Sequence, residues 1–320
     1  MPERSLLCKS VLTFCCFLGI VLNTTSISDP LPALKPYGAA VNGQGGRSQQ
    51  GVVARRNSLA DDRPKIVKPT SVSAGEFPWI VALVYFEGTG ANRKLKQYCG
   101  GAIIDDLWVV TAAHCEVQEG DLVLSGMTVL PERLEDQSSL PTVKKVFLPN
   151  EPFDTVTYKD DFALIWLSKP IRGSHIDLTN NSKVESVDGT PMIIAGWGAT
   201  SFGGESSRTL FKGSVTTKDT QDCSAAYGAT PFSIADSMFC AKAGESDACT
   251  GDSGGPAIMK DPSAPTGFSL LGIISWGKDC GQKAYPGVYT RMSKFSKWVG
   301  SQRSLHQNAP IPLNRSSGKA

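Results

Sequence analysis

The 320-residue chain holds only three histidines, so any chemistry that needs an imidazole must use His114, His175 or His306. It also lacks a dominant charge: 32 Lys and Arg against 30 Asp and Glu leave a formal +2. That balance excludes the basic footprint of a nucleic-acid binder and gives no reason for docking on an anionic membrane. Neither Cys-x-x-Cys nor His-x-x-x-His occurs, which removes the usual spacings of a zinc site. No metal and no cofactor is therefore expected. No apolar run reaches the roughly 20 residues of a membrane-spanning helix. No segment repeats at a fixed period. Helical periodicity is scarce too, with Ser293 to Val299 the only fair stretch: Ser293 can cap it, and Phe295, Trp298 and Val299 share one face.

Hydrophobic residues make up 41% of the chain and charged residues 19%, enough apolar material for a substantial core. The 32 glycines and 20 prolines suit a loop-rich β protein. Residues 1–26 read as a signal peptide. Arg4 and Lys9 precede the apolar run Val11–Leu22, and the small polar residues Thr24, Thr25 and Ser26 follow it. The expectation is a secreted, extracellular protein. Three of the nine cysteines, Cys8, Cys15 and Cys16, fall in that leader. The other six, Cys99, Cys115, Cys223, Cys240, Cys249 and Cys280, suggest three disulfides, which composition alone could connect in about 15 ways.

Residues 27–65 are rich in Pro, Gly, Gln and Arg, with weak hydrophobic periodicity and no cysteine; they read as a pro-segment. From Ile66 the pattern changes. Phe77–Phe86 is a long β-favouring run, and Gly100–Ile104 and Trp108–Thr111 flank a turn at Asp105-Asp106. Short apolar stretches recur at 122–124, 143–148, 162–167, 192–195, 213–215, 255–259, 270–275 and 287–289, which predicts an all-β sandwich or barrel. Residues 301–320 are polar and proline-containing and read as an unstructured tail. Asn180-Asn181-Ser182 and Asn314-Arg315-Ser316 match the glycosylation motif.

The chemistry gathers around Cys249-Thr250-Gly251-Asp252-Ser253-Gly254-Gly255-Pro256. Glycines here free the backbone for a sharp turn and for close approach of a substrate. Such a turn can aim the N–H groups of Gly251 and Ser253 at one point, as the oxygen of a tetrahedral intermediate requires. Ser253 is a weak nucleophile and needs a base. His306 sits in the polar tail and His175 in a charged loop, both read as surface residues. His114 directly follows an apolar strand and precedes Cys115, so its turn can be covalently fixed. A carboxylate must then orient the imidazole. Asp160 and Asp161, opening the apolar run at Phe162, are both candidates.

These motifs resemble the trypsin/chymotrypsin family of secreted serine proteases: Thr111-Ala112-Ala113-His114-Cys115, Asp161-Phe162-Ala163-Leu164 and Gly251-Asp252-Ser253-Gly254-Gly255-Pro256, in that order. The match covers roughly 66–300, which reads as the protease domain. The resemblance implies two packed six-stranded antiparallel β-barrels with a short C-terminal helix. It selects Asp161 over Asp160 as the third member beside His114 and Ser253. It implies the pairs Cys99–Cys115, Cys223–Cys240 and Cys249–Cys280. Ser275 would hydrogen-bond Asp161, and the backbone of Ser275, Trp276 and Gly277 would pair with an extended substrate. Asp247 corresponds to the pocket base, where a buried carboxylate favours Arg or Lys before the scissile bond. Gly277 and Gly287 match wall positions that leave room for a long cation.

Activation is implied as well. Cleavage after Lys65 would free Ile66-Val67, whose ammonium would pair with Asp252 and order the oxyanion site. The family usually continues with two glycines; Lys68-Pro69 stand here instead, and proline fixes φ and removes a donor. Expected partners are protein or peptide substrates with Arg or Lys, an activating trypsin-like protease and protein inhibitors. A protease-like fold kept only for binding would typically lack a member of the triad, and none is missing. The extended pro-segment and polar tail favour limited proteolysis over digestion.

Overall fold

A computed structural model describes residues 70–306, apart from 90–92, 135, 202, 229–232, 244–246, 279 and 281–283. The expected signal peptide, pro-segment, activation residues Lys65, Ile66 and Val67, the Lys68-Pro69 pair and residues 307–320 lie outside the described residues.

Two barrels of antiparallel strands carry the fold. The first contains β2 (Ile80–Glu87), β3 (Lys94–Asp105), β4 (Trp108–Thr111), β5 (Leu122–Ser125), β6 (Val143–Phe147) and β7 (Ala163–Leu167). Their order is β5-β2-β3-β4-β7-β6. The ends meet where Gly120 N donates to Val143 O at 2.8 Å and Val123 N to Pro141 O at 3.1 Å. The run beginning at Ile80 buries five consecutive residues of β2, which is why it reads as an unbroken apolar stretch rather than an alternation.

The second barrel is a ring of β9 (Pro191–Gly196), β10 (Phe211–Lys218), β11 (Met238–Ala243), β14 (Gly287–Arg291), β13 (Phe268–Trp276) and β12 (Pro256–Lys260). The ring closes because β9 pairs with both β10 and β12. A short β1 (Thr70–Ser71) adds to β10, and β8 (Asp177–Leu178) adds to β13 in parallel. The architecture is the two-barrel fold that the motifs implied. All three implied disulfides are formed: Cys99–Cys115, Cys223–Cys240 and Cys249–Cys280.

Two helices differ from the sequence expectation. The C-terminal helix α2 runs Met292–His306, well past Val299, so the start of the expected tail is helical. Its last turn is polar yet docked. His306 packs against Phe147, Trp166 and Trp108 with ring centroids 4.8, 5.4 and 6.1 Å away, and Arg303 contacts Asp105. His306 is thus a packing residue rather than a plain surface one. His175 stays exposed, 2.9 Å from Asp106. A second helix, α1 (Thr220–Tyr227), was not expected. Asp219 caps it, accepting from Gln221 N at 2.8 Å and Asp222 N at 3.3 Å, while Cys223 and Tyr227 bury one face. At the start of α2 the cap comes from far away in sequence: the buried carboxylate of Glu185 accepts from Ser293 N at 2.9 Å and from the Ser293 hydroxyl. Inside α2, Phe295 stacks on Phe162 at 4.7 Å and 7°. The helix thereby braces the residue next to Asp161.

Candidate active site

His114 sits in a single helical turn, Ala113–Cys115, at the end of β4. The Cys99–Cys115 disulfide ties that turn to β3. Asp161 lies at the mouth of β7 and is 1% exposed. Its Oδ1 accepts from His114 N at 2.9 Å, and its Oδ2 lies 2.7 Å from His114 Nδ1. Ser275 Oγ also donates to Oδ2. Asp160 turns away instead, at a left-handed φ of 57°, and accepts from Asn150. An imidazole nitrogen facing a carboxylate carries the proton, which leaves Nε2 with its lone pair. That Nε2 is buried and makes no hydrogen bond. It is an acceptor in waiting.

Ser275 reaches Asp161 because the β13–β14 ladder slips there. Ile274 pairs with Tyr289 and Trp276 with Val288, so Ser275 is an extra residue whose side chain is re-aimed. Thr290 Oγ1 holds the backbone, donating to Asp161 O at 2.6 Å.

The Ser253 loop is wedged between the barrels. Ser253 O accepts from Gly100 N of the first barrel at 2.7 Å, and Gly254 N donates to Ile274 O of the second at 2.9 Å. Gly254 has φ of +75°, and a Cβ there would come within 2.2 Å of Thr111 Oγ1 and 3.0 Å of Cys115 Sγ. Only glycine permits that approach. The residue after Ser253 thus packs directly on the sulfur that anchors His114. Gly251, on the other side, has φ of +96°.

Asp252 points the opposite way and is partly buried. Its oxygens accept from Gly198 N at 2.8 Å and Cys249 N at 3.0 Å. Burial pushes its carboxyl up to about 6, and the nearby charge of Asp247 adds to the rise. Asp247 is 5% exposed and accepts from Ala248 N at 2.9 Å. A Cβ built on Gly287 would lie 3.6 Å from Asp247 Oδ1, so these two residues stand side by side. One small cavity touches both Asp247 and Asp252. Trp276 and Gly277 are buried at the end of β13.

Three neighbours of the site escaped sequence reasoning. Thr290 is one. Tyr158, at φ of 55°, sets its ring edge-on to His114 at 5.8 Å; burial and the charge of Asp161 push its hydroxyl up to about 12. Gln97 donates to Gly251 O at 2.8 Å. All three lie far in sequence from the groups they touch or carry no motif, and only the position of Thr290 in an apolar strand gave a hint.

The family model described as Trypsin matches residues 66–299. The chain belongs to the trypsin family. It is 31% identical over 241 residues to Trypsin of Phaedon cochleariae, covering 72% of this chain and 85% of that one. It is 36% identical over 247 residues to Trypsin Blo t 3 of Blomia tropicalis, covering 73% and 84%. With Serine protease 56 of Mus musculus it shares 32% over 257 residues, covering 78% of this chain but 41% of that longer relative. As a member of the trypsin family the chain is a serine endopeptidase, and the groups described above are the candidates for its catalytic machinery. No helix among the described residues is long and apolar enough to cross a membrane.

Proposed function

We propose that the protein is a secreted endopeptidase, made as a zymogen, that cleaves after Arg or Lys in limited proteolysis of other proteins. The observation that carries the catalytic reading is the held pair His114–Asp161 beside the Ser253 loop. In the reaction, Ser253 Oγ attacks the scissile carbonyl carbon while His114 Nε2 takes its proton. The carbonyl electrons move to oxygen, which the N–H groups of Gly251 and Ser253 receive. The C–N bond then breaks, and His114 returns the proton to the departing amine. Water repeats the sequence on the acyl-enzyme. Asp161 keeps Nδ1 protonated and stabilises the imidazolium.

The specificity reading rests on Asp247. A carboxylate buried at a pocket floor favours a cationic side chain over an apolar one, because an uncompensated charge there is costly. The zymogen reading rests on Asp252 and its cavity: a partly buried carboxylate whose pKa is raised by desolvation offers a site for an ammonium, and Lys65-Ile66 supplies one after cleavage. Secretion is supported by the apolar run Val11–Leu22 and by three disulfides, which form in oxidising compartments.

A fluorophosphonate probe tests the nucleophile. It should label the cut protein at Ser253 alone, as read by peptide mass, and His114→Ala should abolish labelling. Labelling at another serine, or full labelling without His114, would overturn the assignment.

A further inference from the structure

Gln97 stands on β3, two residues before the disulfide-bonded Cys99. The β2–β3 ladder slips at this point: Leu83 pairs with Cys99 and Val84 with Gln97, leaving Tyr98 unmatched. Such a bulge re-aims the side chains beside it. Gln97 reaches across from the first barrel to the second, and Nε2 donates to Gly251 O at 2.8 Å. An amide facing a carbonyl oxygen must present its NH₂ group, so the chemistry fixes which end points inward. The other end, Oε1, is buried without a hydrogen-bond partner. The fold tolerates an unsatisfied acceptor while the donor end holds Gly251.

The Gly251–Asp252 peptide lies between the two N–H groups assigned to the oxyanion. Its plane is pinned on both sides, by Gln97 on Gly251 O and by Cys249 O on Asp252 N at 2.9 Å. Rotation of this plane would swing both neighbours, and glycine offers little resistance of its own. We propose that Gln97 is a positioning residue for the oxyanion site, a strut from the first barrel that sets the direction of the Gly251 and Ser253 N–H groups. This inference rests on the protease reading given above.

The test uses the full protein cut after Lys65, as wild type, Gln97→Leu and Gln97→Glu. A peptidyl-Arg amide substrate gives kcat and KM; a peptidyl-argininal reports oxyanion stabilisation, and benzamidine reports the Asp247 pocket alone. Both variants should lose about tenfold or more in kcat, a fraction of the loss of a whole oxyanion donor. The argininal should weaken in step, with KM, benzamidine affinity and thermal midpoint close to wild type. Gln97→Glu, which sets a carboxylate against a carbonyl, should lose more. Unchanged kcat in both variants overturns the inference while leaving the protease reading intact. A parallel fall in every affinity, or failure of both variants to fold, assigns Gln97 to stability and also overturns it. An inactive wild type overturns the protease reading and this inference together.

Discussion

Asp252 is the residue whose titration speaks most directly to activation. Burial raises its carboxyl from the ordinary 3.8 to about 6, so the folded protein binds this proton more tightly than the unfolded chain. The stability that the proton lends is present below about pH 4 and is lost as pH climbs through about 6. In the uncut protein, thermal midpoints of wild type should therefore fall relative to Asp252→Asn between about pH 4 and 7. After cleavage at Lys65, an ammonium beside the carboxylate should lower its pKa and flatten that difference. A flat difference before cleavage would contradict the account. At this scale the sequence was informative where a residue sits in a motif, which is how it singled out Ser253, His114, Asp161, Asp247 and Asp252. Tyr158, Thr290 and Gln97 were not legible, because each acts through a contact that depends on how distant strands are packed.

Among the elements, α2 depends most on a remote partner. Glu185 and Arg291 form a buried pair at 3.4 Å, with exposures of 0% and 5%. Burial pushes Glu185 upward against the opposing pull of Ser293 and Arg291. Arg291 also donates to Ser186 Oγ at 2.9 Å and Met238 O at 2.7 Å. Glu185→Ala would strand Arg291 without its counter-charge and leave Ser293 N unpaired at the helix start. The expected loss is about 3–5 kcal/mol, read as a lower urea midpoint with an unchanged slope. A loss below about 1 kcal/mol would show the pair to be solvated, as exposed pairs are. Most strands with apolar runs were readable from the sequence, although β11 (Met238–Ala243) was not singled out, and polar or short elements were not readable. The first half of β3, Lys94 to Tyr98, is half polar and carries no apolar run. The helix α1 is short, and its cap at Asp219 was the one available signal. The last turn of α2 is polar because it is pinned by Arg303 and His306 rather than by an apolar face.

For the whole molecule, the two barrels explain how the residues proposed as catalytic, far apart in sequence, come together. His114 and Asp161 belong to the first barrel, Ser253 and Ser275 to the second, and the Ser253 loop is hydrogen-bonded to both. Each barrel fixes part of the site, so the chemistry depends on their packing. The two-barrel architecture was legible because three motifs in order identify a family, whereas strand spacing alone led only to a sandwich or barrel. The central claim is a zymogen with a cation-selecting pocket. Its most direct test is hydrolysis of paired Arg and Phe peptide substrates, before and after cleavage between Lys65 and Ile66, with Ser253→Ala beside it. The account predicts Arg-selective hydrolysis that appears only after the cut and is absent from the variant. Equal activity before the cut, preference for Phe, or silence of a folded, cut protein would contradict it.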